Sequence, residues 1–358
     1  MEKGEKMDTK YWSVDKSVEN HGAYPQLGEA AQLLRQHEVV AFPTETVYGL
    51  GADATNDEAV EKIYKAKGRP GDNPLIVHIA EFKQLENLVA DIPDSARLLM
   101  KTFWPGPLTI LLHVKPGQLS QKVTAGLDTV GIRMPSHPVA LDLIRKANLP
   151  IAAPSANSSG KPSPTTAAHV REDLDGRIAG IIDGGQTGVG VESTVLDCTV
   201  EVPVILRPGG VTKEQLEKVI GKVVIDPGLQ SSDRARPKAP GMKYTHYAPD
   251  APVYLVDGSI TYMQHLIDER RKKGQRVGAI VTEEAAGFIK ADAVEICGRR
   301  DSLETVAHHL YDALRSFNQI DVDVIFSEIF PREGIGQAIM NRLDKAAGRK
   351  YLFEKEES

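Results

Sequence analysis

The chain is 358 residues long, 41% hydrophobic and 26% charged, with 43 Lys and Arg set against 49 Asp and Glu for a net charge of −6. That length predicts two domains at ~100–200 residues each, and the apolar fraction is that of a globular chain with a buried core. The acidic balance argues against stable nucleic-acid binding through bulk positive charge, while leaving a local basic patch open.

Residues 1–15 are polar and mixed in charge, without the apolar centre of a signal peptide. No apolar run approaches the ~18–20 residues that a membrane-spanning helix needs, so no membrane association is expected and the cytoplasm is the expected compartment. The two cysteines, Cys198 and Cys297, lie far apart and cannot build a CxxC metal site or a disulfide framework. They are expected to pack as small reduced apolar groups.

In chain order, β-rich runs at 39–42, 75–79, 108–114, 130–134, 178–182 and 194–197 predict strands. Helical periodicity predicts helices at 27–37, 57–66, 94–102 and 139–147. Asn56 and Asp57 offer N-cap oxygens to the second of these. The alternation argues for an α/β domain over 1–225.

From 226 to 250 the periodicity stops. Turn formers dominate, including Pro227-Gly228, Pro240-Gly241 and Pro249, so the stretch reads as a linker. Its Lys243-Tyr244-Thr245-His246-Tyr247 run carries basic and aromatic groups that a plain tether does not need, so a functional lid is an equal reading. The α/β rhythm returns over 251–358, with strands expected at 253–256, 277–281, 293–296 and 324–326 and helices at 260–273, 303–317 and 338–347. That is enough for a small doubly wound domain.

The familiar nucleotide loops are absent. No G-x-x-x-x-G-K-[ST] occurs, and Gly184 to Gly190 does not fit G-x-G-x-x-G. Four other segments concentrate chemistry. Phe42 to Gly51 packs hydroxyls, a carboxylate and two glycines after a strand, which suits a ligand crevice or, more plainly, a polar turn. Lys65, Lys67 and Arg69 cluster at a helix end before a Pro/Gly turn. As exposed charges they would complement the helix dipole and add little to stability, or be fixed toward a polyphosphate, with Lys as a point charge and Arg as a fork. Residues 152–164 end a strand in a loop crowded with hydroxyls and the amide of Asn157, groups able to meet phosphate and ribose oxygens. Residues 188–194, with Arg207-Pro208-Gly209-Gly210 after them, repeat small residues, hydroxyls and one cation. His78, on a strand, could face either a core or a site.

Taken together, Pro43-Thr44-Glu45-Thr46-Val47-Tyr48-Gly49-Leu50, Lys67-x-Arg69-Pro70, Trp104-Pro105-Gly106-Pro107, Pro154-Ser155-Ala156-Asn157 and Ser193-Thr194-Val195 resemble, in order, the threonylcarbamoyl-AMP synthase family with its YrdC-like catalytic domain. The segment from Pro240 to Pro249 and the α/β region beyond it resemble the family's long two-domain form. The resemblance implies a twisted, partly mixed open sheet with helices, plus a smaller Rossmann-like α/β C-terminal domain. It implies a nucleotidyltransferase that forms threonylcarbamoyl-AMP and pyrophosphate from L-threonine, bicarbonate and ATP, with Mg²⁺ expected. The threonylcarbamoyl group then passes to an adenosine beside the tRNA anticodon through a separate transferase machinery, so any direct tRNA contact is expected to be weak. By similarity, Thr46, His78, Arg133, Ala153 and Ser193 are expected to bind threonine. Arg69, Asn73, Thr129, Ser155, Asn157, Ser163, Arg207 and Tyr244 are expected to bind ATP, and Lys67 and Arg69 to serve catalysis. Alternatives are a double-stranded RNA-binding module, which the acidic charge disfavours, and a related carbamoyl-transfer enzyme, whose zinc finger two cysteines cannot build.

Overall fold

The structure, a computed structural model, describes residues 7–14, 25–229 and 246–355. The described chain divides into two compact units. The first takes 7–14, 25–159, 164–188 and 192–229, and the second takes 160–163, 189–191 and 246–355.

The first unit runs β1 (Lys10–Ser13), α1 (Pro25–Arg35), β2 (Val40–Phe42), β3 (Gly49–Asp53), α2 (Asp57–Lys67), β4 (Ile76–His78), α3 (Phe82–Leu88), α4 (Asp94–Phe103) and β5 (Leu108–His113). It continues with α5 (Gln121–Thr124), β6 (Thr129–Arg133), α6 (Pro138–Ala147), β7 (Ile151–Ala152), α7 (Ala167–Leu174), β8 (Gly180–Asp183), β9 (Thr194–Asp197), β10 (Val204–Arg207), α8 (Lys213–Ile220) and β11 (Val224–Ile225). Its strands form one mixed sheet in the order β1-β8-β2-β3-β7-β4-β6-β5-β9-β10-β11. Both faces are covered: Leu27 and Leu34 of α1 pack with Val139 and Leu143 of α6 in one cluster, and Val60 and Ile63 of α2 with Leu85 and Leu99 in another. Burial on both faces is why β2 and, up to their last residues Asp53 and His78, β3 and β4 read as continuous apolar or small residues rather than alternating ones.

Local chemistry sets the ends of α2. The Asn56 side chain accepts the Ala59 amide at 2.8 Å, as expected of an N-cap, and Gly68 ends the helix at φ +63, a backbone that costs glycine nothing. One expectation needs correcting. The segment 42–51 is not a loop throughout, because β3 returns antiparallel to β2 with Phe42 opposite Gly49. Its glycines hid the strand, and packing requires one of them: a Cβ on Gly51 would lie 2.6 Å from the Phe42 ring and 2.9 Å from Ile151. The helices α3, α7 and α8, each of seven or eight residues, were too short to stand out by periodicity.

The second unit contains β12 (Val253–Asp257), α9 (Ile260–Lys272), β13 (Val277–Val281), α10 (Glu283–Ala286), β14 (Ala293–Ile296), α11 (Leu303–Ser316), β15 (Val324–Glu328), α12 (Gly336–Ala346) and β16 (Tyr351–Phe353). Its strands pair in parallel in the order β14-β13-β15-β12-β16, a doubly wound Rossmann-like sheet. Of the linker, 230–245 lies outside the described residues, and with it Lys243, Tyr244 and the Pro240-Gly241 turn. The linker's end belongs to the second unit. Tyr247 is buried there, its ring 5.2 Å from that of Tyr311 on α11, with the Arg342 guanidinium 5.9 Å from its centroid. That ring is taken up by packing and is not available to stack over a ligand.

Candidate functional site

The parallel register of β4 and β6 sets His78 opposite Arg133 at the strand ends. Arg133 is buried, and its guanidinium is held on three sides. Nη2 donates to Glu45 Oε1 at 2.6 Å, Nη1 to Thr46 Oγ1 at 3.0 Å, and Nε to the Gly106 carbonyl at 3.3 Å. A guanidinium has five N–H groups, so each terminal nitrogen keeps a second one for a carboxylate. The turn before β3 positions these partners. Thr44 Oγ1 donates to the Val47 carbonyl at 2.7 Å and lies 2.9 Å from Thr46 Oγ1, and Glu45 Oε2 accepts the Ser136 amide at 3.1 Å.

His78 is fully buried with its ring edge-on to Phe42. Burial pushes its pKa down to about 3, and the nearby positive charges of Arg133 and then Arg207 push the same way. It is therefore a neutral imidazole at physiological pH, a hydrogen-bonding group and not a cation.

Arg207, at the end of β10, turns back on the entry to β9. Nη2 and Nε donate to the Ser193 carbonyl at 2.9 and 3.1 Å, and Nη2 also reaches Ser193 Oγ at 3.1 Å. Ser193 Oγ lies 2.8 Å from Thr109 Oγ1 on β5. Only glycine fits just beyond, because a Cβ on Gly209 would sit 2.3 Å from the Glu192 carbonyl oxygen. Ala153 lies beside this strand system, its amide bonded to the Ile76 carbonyl at 2.9 Å.

The hydroxyl-rich loop after β7 folds back on β3: Leu50 N donates to Pro154 O, Ala156 N donates to Tyr48 O, and Gly49 bridges Ser155. Lys67 organises it from below. Its Nζ donates to the Ser155 carbonyl at 2.5 Å and the Asn157 carbonyl at 2.7 Å. The sequence led us to expect an exposed Lys67. The structure corrects this: the side chain is 3% exposed, because the last turn of α2 faces the loop and the ammonium is satisfied by carbonyls there. Arg69 is half-buried, and its Nη2 donates to the Asn73 and Pro74 carbonyls at 3.3 and 3.2 Å, closing the Pro/Gly turn. Asn73 is buried, and its Oδ1 has no hydrogen-bond partner among the described residues. Thr129 opens β6, opposite His113.

The structure thus gathers Thr46 with Arg133 and His78, Ser193 with Arg207, and Lys67 with Ser155 and Asn157. Ser163 is buried in the 160–163 segment of the second unit, and Tyr244 lies outside the described residues. Sequence reasoning passed over Glu45 as a partner of Arg133 and missed Thr109. Glu45 stands inside the Pro-Thr-Glu-Thr motif, which was its signal. Thr109 lies in a strand of aliphatic residues and gave none. Both cysteine thiols are buried and pushed up to about 12 by that burial, so they stay protonated and pack as expected.

A family model described as "Telomere recombination" matches residues 32–209, and one described as "Threonylcarbamoyl-AMP synthase, C-terminal domain" matches residues 211–348. The threonylcarbamoyl-AMP synthase of Bacillus subtilis is 62% identical over 346 residues, covering 97% of this chain and all of the relative. The chain belongs to the threonylcarbamoyl-AMP synthase family. The family member of Pyrococcus abyssi is 50% identical over 327 residues, covering 90% of this chain and 94% of its own length. The crystal structure of P. abyssi Sua5 complexed with L-threonine superposes with a TM-score of 0.91 at 48% identity, covering 97% of this chain and 100% of that one. The match extends across the family's two-domain form.

Proposed function

We infer that this chain is an L-threonylcarbamoyladenylate synthase, which joins L-threonine, bicarbonate and ATP into threonylcarbamoyl-AMP with release of pyrophosphate for tRNA modification. Near-complete alignment with relatives of that name supports the activity. The observation that carries it in the fold is the buried, electropositive crease in which neutral His78 faces Arg133 and feels Arg207.

The threonine carboxylate is read by the second N–H groups of Arg133, and its hydroxyl by the threonine and serine hydroxyls at Thr46 and Ser193. Ala153 walls the same crease, and His78 supplies a neutral ring without adding charge. The threonine amine attacks bicarbonate, forming the N–C bond of the carbamate as water is lost. A carbamate oxygen then attacks the α-phosphorus of ATP, and pyrophosphate leaves with the electron pair of the broken P–O bond. Two anions meet in that step, so fixed cations must offset the charge. Arg69 and Arg207 supply it directly, while Lys67 holds the Ser155–Asn157 loop that presents hydroxyl and amide groups to the nucleotide. Asn73, Thr129 and Tyr244 complete the ATP contacts. Mg²⁺ enters as part of the MgATP substrate. Among the described residues, no group of three or more His, Cys, Asp or Glu side chains converges to hold a metal.

The carbamate is labile in water, so enclosure matters. We assign that role to the linker at 226–250, between a catalytic domain at 1–225 and a C-terminal domain at 251–358. The product passes to a separate tRNA-acting transferase. No helix among the described residues is long and apolar enough to cross a membrane, in keeping with a cytoplasmic setting.

Incubation with ATP, labelled bicarbonate and threonine tests the reading. Label should enter an adenylate, and pyrophosphate should appear, only when threonine is present. Pyrophosphate release indifferent to threonine would refute it.

A further inference from the structure

The second unit carries a feature that the synthase reaction does not use. In the order β14-β13-β15-β12-β16, the neighbours β15 and β12 send their chains in opposite directions: β12 leads to β13 on one side, and β15 leads to β16 on the other. Right-handed crossovers therefore place α9 and α12 on opposite faces and open a crevice at the carboxyl ends of β12 and β15. In open parallel sheets this switch point is where ligands bind.

A cavity of about 430 Å³ lies at that place, within the ~300–1,000 Å³ range of small-molecule sites. One wall is apolar, formed by Val256, Ile260, Met263 and Ile329. The other carries Arg300 and Glu328. Glu328 is buried and fully engaged: one oxygen accepts the Thr282 amide at 2.5 Å and its hydroxyl at 3.0 Å, and the other accepts Nη2 of Arg300. Arg300 is thereby pinned by one nitrogen. Its Nε and Nη1 make no hydrogen bond among the described residues, and its side chain remains 51% exposed. The entrance of α9 is already occupied by an internal carboxylate, since Ser259 N donates to Glu354 Oε2 at 2.6 Å and Ser259 Oγ to Oε1 at 3.0 Å. An incoming anion therefore falls to Arg300.

We propose that the crevice between β12 and β15 is a second ligand site, which takes a small organic anion, a carboxylate or phosphate on an apolar body, with the anion on Arg300 and the body against Met263. A pinned guanidinium with open N–H groups is preorganised for such an oxyanion, and the apolar wall sets the size of the body. None of the residues assigned to the synthase reaction lines this cavity.

The test reads the cavity directly in the full chain. Methyl-¹³C methionine labelling gives seven methionine signals, and Met263→Leu identifies the one that lines the site. Benzoate and adenosine monophosphate serve as carboxylate and phosphate probes at millimolar concentration, with benzamide as the uncharged control. At least one anion should move the Met263 signal saturably, and benzamide should not. Arg300→Gln should weaken that binding at least about tenfold, the loss of ~1.4 kcal/mol, while the other methionine signals stay in place. If the glutamine variant loses the Met263 signal itself, Arg300→Lys decides, since it keeps a charge beside Glu328 but not the fork. Failure of both anions to move Met263, equal binding of benzamide and benzoate, or unweakened binding in the deciding variant would overturn the proposal.

Discussion

Arg133 Nη2 and Glu45 Oε1 meet at 2.6 Å with their side chains only 5% and 14% exposed, joining two positions 88 residues apart. A buried ion pair of this kind is costly to break from one side, because the charge left behind stays buried without its counter-charge. Glu45→Ala should therefore lower stability by about 3 kcal/mol, with Glu45→Gln costing less since the amide still accepts from Arg133. Urea unfolding of the two variants measures this, and equal midpoints for wild type and Glu45→Ala would contradict it.

Lys67 holds the loop after β7 by donating to the Ser155 and Asn157 carbonyls. Lys67→Met should reduce adenylate formation by ~10²–10³ if the loop presents transition-state contacts. It should also lower stability by ~1–3 kcal/mol, because three polar contacts at buried positions go unmade. Steady-state rates with matched melting curves separate the two effects. A rate within a few-fold of wild type would remove Lys67 from the site.

Selectivity for the substrate hydroxyl is the third expectation. The crease presents Thr46 Oγ1, 2.9 Å from Thr44 Oγ1, and Ser193 Oγ, 2.8 Å from Thr109 Oγ1. A site built around such groups rejects an analogue that leaves them unpaired, by a factor on the order of 10⁴. Valine is nearly the same shape as threonine, with a methyl group in place of that hydroxyl. Competition between the two in pyrophosphate release gives the ratio, and parity would mean that the site reads only the amino-acid backbone.

His78 predicts a pH signature. Its folded pKa of about 3 lies below the ordinary 6.5, so the unfolded chain binds the proton more readily. The stability contributed by the neutral, buried ring is complete above about 6.5 and is lost as pH falls from there toward 3. The slope from this one group is at most ~1.4 kcal/mol per pH unit. His78→Leu should flatten that limb of the stability profile. An unchanged limb would place the proton elsewhere.

The lid assignment is tested at Tyr244 in the full chain. Tyr244→Ala should raise the KM for ATP and uncouple pyrophosphate release from adenylate formation, because a lid that excludes water protects the carbamate. Unchanged KM and coupling would leave the linker as a tether.

The sequence by itself determined the α/β class, the parallel second unit and the segments that carry the chemistry, because these rest on local periodicity and on short motifs such as Pro43 to Leu50 and Pro154 to Asn157. It even set the ends of α2, through Asn56 and Gly68. Only the tertiary structure decided which of those groups meet. Arg133 finds Glu45 across 88 residues, Lys67 finds Ser155 across 88, and Ser193 finds Thr109 across 84. Such pairings depend on non-local packing: Arg133 on β6 and Thr109 on β5 would each turn to the other face on a slip of one residue, while Lys67 on α2 and the turns holding Glu45, Ser155 and Ser193 must be brought to them. The same holds for burial. Lys67 reads as a solvated cation at a helix end until the loop after β7 folds over it, and Arg300 is one arginine among many until β15 brings Glu328 beside it.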